Sequence, residues 1–334
     1  MGRGLCCVSR VQPLYCTSKV YIIMILNRKL ISIIAVLIFW CNIFLFSCSP
    51  PTGSVVISQT NTATKTIPPT FKHLTVTPSH TLTFQPSKTV TPSSTSPTRL
   101  ACWKTGGRVD KTNLRDSRLR LPMEVRIYLP PCYNQETQRR YPVLYLMHGQ
   151  NFTEDQWERL GAAKTANHLI ANQQSPPFII VMPRDRLWTS PRESPFGVVF
   201  IETLIPYIDQ TFRTKTSREQ RAIGGLSRGG AWAMYLGISS WEYFGAIGSH
   251  SSFYFYGEEY HTKRWFAQIP PDSIPRIFVD IGRDDFLKKP NFQLEEMLIE
   301  HNVPHEWYIY PGRHEETYWQ SHIEQYFLWY TFSW

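Results

Sequence analysis

Acidic residues are absent from the first 100 positions, although those positions carry nine of the 35 lysines and arginines. Positions 101–334 carry the other 26 basic residues and all 26 acidic residues of the chain. The formal net charge of +9 therefore belongs to the N-terminal part, and the part able to build a large core is neutral. This distribution argues against nucleic-acid binding, which needs a basic surface on the folded domain.

The N-terminal segment 1–48 has the pattern of an export signal. From Met24 the chain places Arg28 and Lys29 before an apolar run that ends in "LFSC" at Cys48. Counted from Met24 this is the length of a secretory signal, so we expect translation to start there. "LFSC" resembles a bacterial lipobox, which makes Cys48 the expected lipidation site. An uncleaved signal anchor is the alternative; in either case the protein is exported and tethered to the outer face of the cell membrane.

Large apolar side chains are scarce in residues 49–100, where 30 of 52 positions are serine, threonine or proline. Such a segment cannot bury enough apolar surface to offset the entropy lost on ordering, so we expect a disordered linker. Residues 101–334 then form the single catalytic or binding domain.

Cysteine is rare, and the predicted export product retains only Cys48, Cys102 and Cys132 of the seven. With Cys48 lipidated, an even pair remains in an oxidising compartment. We expect a disulfide between Cys102 and Cys132 across the first hairpin; two buried free thiols are the alternative.

Apolar runs of strand length alternate with helix-length segments from position 123 onward. Several runs are apolar throughout, which is typical of strands covered on both faces. This alternation of strands and helices predicts an α/β fold with a mostly parallel sheet, helices on both faces and an antiparallel hairpin at the start. The predicted strands are 123–130, 141–149, 177–183, 220–225, 244–251, 275–282 and 306–312, and the predicted helices are 155–172, 196–213, 229–239, 290–301 and 315–330.

The stretch "GGLSRGGAW", residues 224–232, follows one predicted strand and opens a helix. This is the context that a G-x-S-x-G nucleophile elbow requires. Side chains at Gly225 or Gly229 would collide with the sharp strand-to-helix turn. Ser227 is therefore the expected nucleophile, presented above the sheet at the positive end of a helix.

A serine nucleophile needs a histidine base and a carboxylate, which in this architecture follow it in the order serine, acid, histidine. "VDIGRDDFL" offers Asp280, Asp284 and Asp285; Asp280 lies within the strand and Asp284 is also compatible with a plain turn. His314 lies in the loop after the last predicted strand and is the expected base. A zinc motif H-E-x-x-H is excluded because position 318 is tyrosine.

The oxyanion hole of such a site uses two backbone N–H groups. The first belongs to the residue after the nucleophile, Arg228. The second comes from the loop "LMHGQNF", where Gly149 permits close approach and Gln150 is the expected donor, with Asn151 as the alternative.

The segments "YPVLYLMHG", "AIGGLSRGGAWAMYLG", "IGRDDF" and "PGRHEETYW" together resemble the esterase D-like family of α/β-hydrolases. That family includes feruloyl, acetyl-xylan and enterochelin esterases, S-formylglutathione hydrolases and mycolyltransferases. The resemblance runs from about residue 105 to the C-terminus. It implies the α/β-hydrolase fold, with Ser227 as nucleophile, Asp285 as acid (fourth in G-x-x-D from Gly282) and His314 as base, and it implies no metal or cofactor.

Two aromatic-rich segments follow strands at the edge where α/β proteins bind ligands. They are "RDRLWTSPRES" and "SSFYFYGEEYHTKRW", and they make Trp188, Phe253 and Tyr254 candidates for the substrate pocket. Aromatic residues at helical spacing are more often core, which is the alternative for each.

These features predict an exported serine esterase that hydrolyses a small-molecule or polysaccharide-linked carboxylic ester through an acyl-enzyme. An acyltransferase would use the same residues with a sugar or lipid hydroxyl as acceptor. A catalytically inactive surface binding module is the third possibility.

Overall fold

The computed structural model describes residues 101–334, and every structural statement below refers to them. The predicted export segment with Met24 and Cys48, and the predicted linker 49–100, lie outside the described residues. Within residues 101–334, no helix combines the length and apolar character needed to cross a membrane.

Eight strands form one sheet in the order β1-β2-β4-β3-β5-β6-β7-β8. Strand β2 pairs antiparallel with both β1 and β4, and all other neighbours pair in parallel. The strands are β1 Arg108–Leu114, β2 Met123–Leu129, β3 Val143–Met147, β4 Ile179–Pro183, β5 Arg221–Leu226, β6 Ala246–His250, β7 Arg276–Gly282 and β8 Glu306–Tyr310.

Helices cover both faces of this sheet. They are α1 Gln156–Arg159, α2 Ala162–Ala171, α3 Phe196–Val199, α4 Ile205–Thr211, α5 Arg228–Ser239, α6 Glu259–Gln268, α7 Lys288–Glu300 and α8 Glu316–Thr331. A π-helical turn, Phe200–Leu204, joins α3 to α4, and short 3₁₀ turns span Ala101–Lys104, Arg218–Gln220, Trp241–Tyr243 and Pro271–Ser273.

The core has two layers because successive side chains of a strand point to opposite faces of the sheet. On β3, Tyr145 belongs to the layer under α3, α4, α5 and α7. Its neighbours Leu144 and Leu146 belong to the layer under α1, α2 and α8. Each fully buried side chain of this size stabilises the fold by about 1.5–3 kcal/mol relative to exposure. The predicted α/β architecture, a mostly parallel sheet with helices on both faces and an antiparallel hairpin at the start, is confirmed.

Three elements differ from the sequence-based expectation. The sequence pattern predicts neither strand β1 by its own residues nor helix α6, and the structure contains both. The predicted helix 155–172 is divided into α1 and α2 at Gly161, which adopts a left-handed φ of 100°.

The expected disulfide is present. Cys102, in the first 3₁₀ turn, bonds to Cys132, which lies beyond the end of β2, with a Cα–Cα distance of 5.1 Å. The bond links the start of the described chain to the end of the sheet where the parallel strands begin, away from their carboxyl ends.

Candidate active site

Ser227 lies in the turn between β5 and α5, with φ 54° and ψ −125°. A non-glycine residue with positive φ is strained and persists only when its surroundings hold it. Here the Ser227 N–H donates to the carbonyl of His250 at 2.8 Å, which anchors the turn to the end of β6. The expected nucleophile elbow is therefore the local structure around Ser227.

The glycines on either side of Ser227 are required by close packing of the backbone. A Cβ at Gly225 would lie 2.4 Å from the carbonyl carbon of Gly229. A Cβ at Gly229 would lie 2.2 Å from the carbonyl oxygen of Met147 at the end of β3. Any side chain at these two positions would push the elbow away from the sheet.

Ser227, His314 and Asp285 form a continuous chain of hydrogen bonds. The Oγ of Ser227 lies 2.9 Å from His314 Nε2. His314 Nδ1 lies 3.0 Å and 3.2 Å from the two carboxylate oxygens of Asp285. Asp285 is buried, and its Oδ1 also accepts the Leu287 N–H at 2.7 Å, which fixes the carboxylate.

This arrangement selects one tautomer of His314. An ionised Asp285 can only accept, so Nδ1 carries the proton and donates it to the carboxylate. Nε2 is then the acceptor for the Ser227 hydroxyl proton. The ring contacts Phe286 and Trp319, with centroid distances of 4.5 Å and 5.0 Å. The site can thus deprotonate a serine as that serine attacks a carbonyl.

The other two candidate aspartates have different surroundings. Asp280 is fully buried; it accepts hydrogen bonds from Tyr318 and Tyr326 and pairs with His250 Nδ1 at 2.6 Å. Asp284 is exposed, and its backbone N–H donates to the Gly312 carbonyl. Of the three aspartates, Asp285 is the one within hydrogen-bond distance of His314.

A cleft of about 390 Å³ opens over Ser227. Gln150, Asn151 and Arg228 line it together with Ser227 and His314. The structure therefore brings both expected oxyanion segments to the nucleophile; the roles of Arg228 and Gln150 as donors stay predictions.

Aromatic side chains form much of the cleft wall. Phe253, one of the expected pocket residues, lines it, as do Phe152, Phe286 and Trp319. Trp188 and Tyr254 are not among the lining residues; Trp188 is exposed, and Tyr254 packs partly against the core. Phe286 was missed, although its position directly after Asp285 on the loop following β7 is a usable signal.

A buried polar group next to the site was also missed by the sequence reasoning. The buried Arg228 side chain, 10% exposed, forms an ion pair with Asp185 through Nε at 3.0 Å. The Asp185 N–H donates to His148 Nε2 at 3.0 Å. Burial lowers the pKa of His148, which favours the neutral ring that this acceptor role requires. The sequence holds no signal for these contacts because the three residues follow three different strands, His148 after β3, Asp185 after β4 and Arg228 at the start of α5 after β5.

No group of three or more histidine, cysteine, aspartate or glutamate side chains within residues 101–334 is arranged to hold a metal ion.

The sequence is similar to those of known esterases. Residues 117–330 match a protein family described as "Putative esterase". An endo-1,4-β-xylanase/feruloyl esterase of Xylanibacter ruminicola is 35% identical over 167 residues, covering 47% of this chain and 22% of the relative. An esterase of Mycobacterium tuberculosis is 33% identical over 137 residues, covering 38% of this chain and 28% of the relative. The chain thus matches about a quarter of the length of these relatives.

Solved structures show the same fold. A ferulic acid esterase superposes with a TM-score of 0.62 at 25% identity, covering 69% of this chain and 99% of its own. An S-formylglutathione hydrolase of Staphylococcus aureus has a TM-score of 0.56 at 18% identity, covering 68% of this chain and 98% of its own.

Proposed function

Because the chain belongs to the esterase family whose model matches residues 117–330, we propose that it is a serine carboxylic-ester hydrolase with Ser227 as nucleophile. One observation carries the proposal: Ser227 Oγ lies 2.9 Å from His314 Nε2, while His314 Nδ1 faces the Asp285 carboxylate. A chance cluster of these residue types would not also place the serine on a strained elbow at the start of a helix.

In the acylation step, Ser227 Oγ attacks the ester carbonyl as His314 Nε2 takes the hydroxyl proton. The backbone N–H groups of Arg228 and Gln150 stabilise the oxyanion of the tetrahedral intermediate. His314 then protonates the leaving alcohol, and the acyl group remains on Ser227. Asp285 keeps the imidazole in the productive tautomer and stabilises its charged form.

In the deacylation step, a water molecule gives its proton to His314 Nε2 and attacks the acyl carbonyl. The second tetrahedral intermediate uses the same oxyanion donors. Its collapse releases the carboxylic acid and returns the proton to Ser227. The same residues would carry an acyl transfer if a sugar or lipid hydroxyl replaced water.

The substrate that we propose is an aromatic acyl ester, of the feruloyl type, carried on a polysaccharide or a small alcohol. The aromatic wall formed by Phe152, Phe253 and Phe286 supports this proposal, since flat aromatic acyl groups pack well against such side chains. The name of the 35% identical relative, which includes a feruloyl esterase, also supports it.

We further propose that the protein acts outside the cytoplasm, on the outer face of the membrane, held by a lipid on Cys48 or by a signal anchor. The Cys102–Cys132 disulfide supports an oxidising compartment. Fractionation of cells that produce the full chain, with labelled fatty acid, tests this: a Cys48→Ala variant retains the label only if Cys48 is not the lipidated residue.

A panel of esters tests the activity. The full chain is assayed on methyl ferulate, 4-nitrophenyl acetate and a long-chain 4-nitrophenyl ester, each with and without an added alcohol. We expect the highest kcat/KM for methyl ferulate, release of free acid, and loss of activity in Ser227→Ala. A product that is mainly the new ester would favour the acyltransferase, and an inactive wild-type protein that fails to react with fluorophosphonates would favour the binding module.

A further inference from the structure

We propose that Asp185 is a positioning residue that holds both halves of the oxyanion hole in place. The inference rests on the proposed esterase function, because it concerns how the donors of that reaction are oriented. Asp185 follows β4 by two residues and is buried, and neither it nor His148 is among the residues that line the cleft.

The carboxylate of Asp185 fixes the segment that begins with Arg228. Its Oδ2 accepts from Arg228 Nε at 3.0 Å and from the Trp232 indole N–H at 2.8 Å, so it anchors the first and fifth residues of α5. Arg228 is the residue whose backbone N–H is the first oxyanion donor. A shift of the start of α5 would therefore move that donor relative to the nucleophile.

The guanidinium of Arg228 extends this anchor to the loop after β4. Its second terminal nitrogen donates to the carbonyls of Leu187 and Thr189, both at 2.8 Å. The Leu187 N–H in turn donates to Asp185 Oδ1 at 3.1 Å. The loop after β4 and the start of α5 are thus joined by the buried Asp185–Arg228 ion pair. A shift of either segment would leave a buried charge without its partner.

The backbone of Asp185 fixes the other half of the hole. Its N–H donates to His148 Nε2 at 3.0 Å, and His148 Nδ1 then donates to the carbonyl of Gly149 at 2.7 Å. The Gly149 carbonyl and the Gln150 N–H belong to one planar peptide group and point in opposite directions. Holding that carbonyl therefore sets the direction of the Gln150 N–H, the second oxyanion donor.

A positioning role and a merely structural role differ in what they do to kcat. Misaligned donors weaken the bonds to the oxyanion, which exists only in the transition state and the intermediates, so kcat falls while KM changes little. Loss of a buried ion pair with no catalytic link lowers stability and the fraction of folded protein, but not kcat for each folded site.

The experiment compares Asp185→Asn with a matched variant, Asp209→Asn. Asp209 pairs with the buried Arg221 at 2.7 Å, and Arg221 starts β5 at the edge of the sheet opposite Ser227. Active sites are counted by fluorophosphonate labelling, kcat and KM are measured on 4-nitrophenyl acetate, and binding of an aryl trifluoromethyl ketone reports on the oxyanion hole. A second variant, His148→Gln, keeps a side-chain acceptor and removes the ring that spans Asp185 and Gly149, so it serves if Asp185→Asn does not fold.

We expect Asp185→Asn and His148→Gln to lower kcat for each labelled site by roughly 10- to 100-fold. This is a smaller decrease than the complete removal of one oxyanion donor causes. The affinity for the ketone should fall in parallel. Asp209→Asn should lose stability and keep kcat. Equal kcat in all three variants and the wild type would overturn the inference while leaving the esterase proposal intact. A wild-type protein that hydrolyses no ester would instead overturn the proposed function.

Discussion

Asp284 and Asp285 are neighbours in the chain with opposite surroundings, which makes them a matched pair for testing the acid. Asp285 is buried with its carboxylate on His314 Nδ1, whereas Asp284 is exposed. Asp285→Asn should lower kcat by roughly 10³- to 10⁴-fold, because an amide stabilises the wrong tautomer and cannot balance the imidazolium charge. Steady-state kinetics should find Asp284→Asn close to wild type. A reversed ranking of the two variants would remove Asp285 from the mechanism.

His148 gives a pH dependence of stability. Burial lowers its folded-state pKa below the ordinary value of about 6.5. The hydrogen bond to the Gly149 carbonyl and the charges of Asp185 and Glu154 oppose this shift, and the charge of Arg184 adds to it. The unfolded chain therefore takes up the proton first as the pH falls. The stability that the neutral ring gives is complete above about pH 6.5 and is lost as the pH falls from there toward the folded-state pKa.

Urea unfolding at pH 7.5 and pH 5 tests this. The free energy of unfolding should fall more between the two pH values in the wild type than in His148→Gln, whose side chain does not titrate. Equal changes in both proteins would mean that His148 does not supply this dependence.

At the scale of single residues, the sequence indicates the residues of the proposed reaction, but not the buried side-chain contacts beside them. Ser227 and His314 each follow directly after a strand, which is where a serine-hydrolase site places its nucleophile and its base. Each can therefore be identified from a short stretch of sequence. Asp185, His148 and Arg228 meet only because β3, β4 and β5 are neighbours in the sheet. Nothing in the spacing of three residues that follow three different strands indicates which hydrogen bonds they make.

At the scale of elements, the elbow depends on a glycine with no room for a side chain. Gly229→Ala would place a Cβ 2.2 Å from the Met147 carbonyl oxygen, so the turn and β3 could not both keep their positions. We expect a loss of about 3 kcal/mol in the free energy of unfolding, together with loss of fluorophosphonate labelling.

Gly161→Ala is the control for that variant. A Cβ there meets no atom within 4 Å, and only the positive φ of 100° opposes it. The expected loss is about 1 kcal/mol with labelling retained. Labelling of Gly229→Ala at the wild-type rate would show that the elbow tolerates a side chain.

The elements that the sequence did not predict are those with little apolar pattern of their own. Strand β1 is "RVDKTNL", with Leu114 as its buried residue, and it exists because β2 pairs with it. Helix α6 buries only Thr262 and Phe266 of its ten residues. The central strands, buried along their whole length, were predicted because their apolar runs are continuous.

At the scale of the whole domain, the disulfide contributes stability away from the active site. Cys102 and Cys132 are 30 residues apart, and closing a loop of that size stabilises by about 3–4 kcal/mol on the chain-entropy model. The double variant Cys102→Ser, Cys132→Ser should lose about this much in urea unfolding and keep its kcat at low temperature. A large loss of kcat in folded protein would mean that the bond also shapes the site.

The account as a whole depends on Ser227 being the nucleophile, and covalent labelling tests this most directly. The full chain, Ser227→Ala and His314→Ala are treated with a fluorophosphonate, digested and mapped by mass spectrometry. The account predicts one adduct per wild-type molecule, on the peptide that contains Ser227, no adduct in Ser227→Ala and greatly slowed labelling in His314→Ala. An adduct on another residue, or ester hydrolysis that survives in Ser227→Ala, would contradict it.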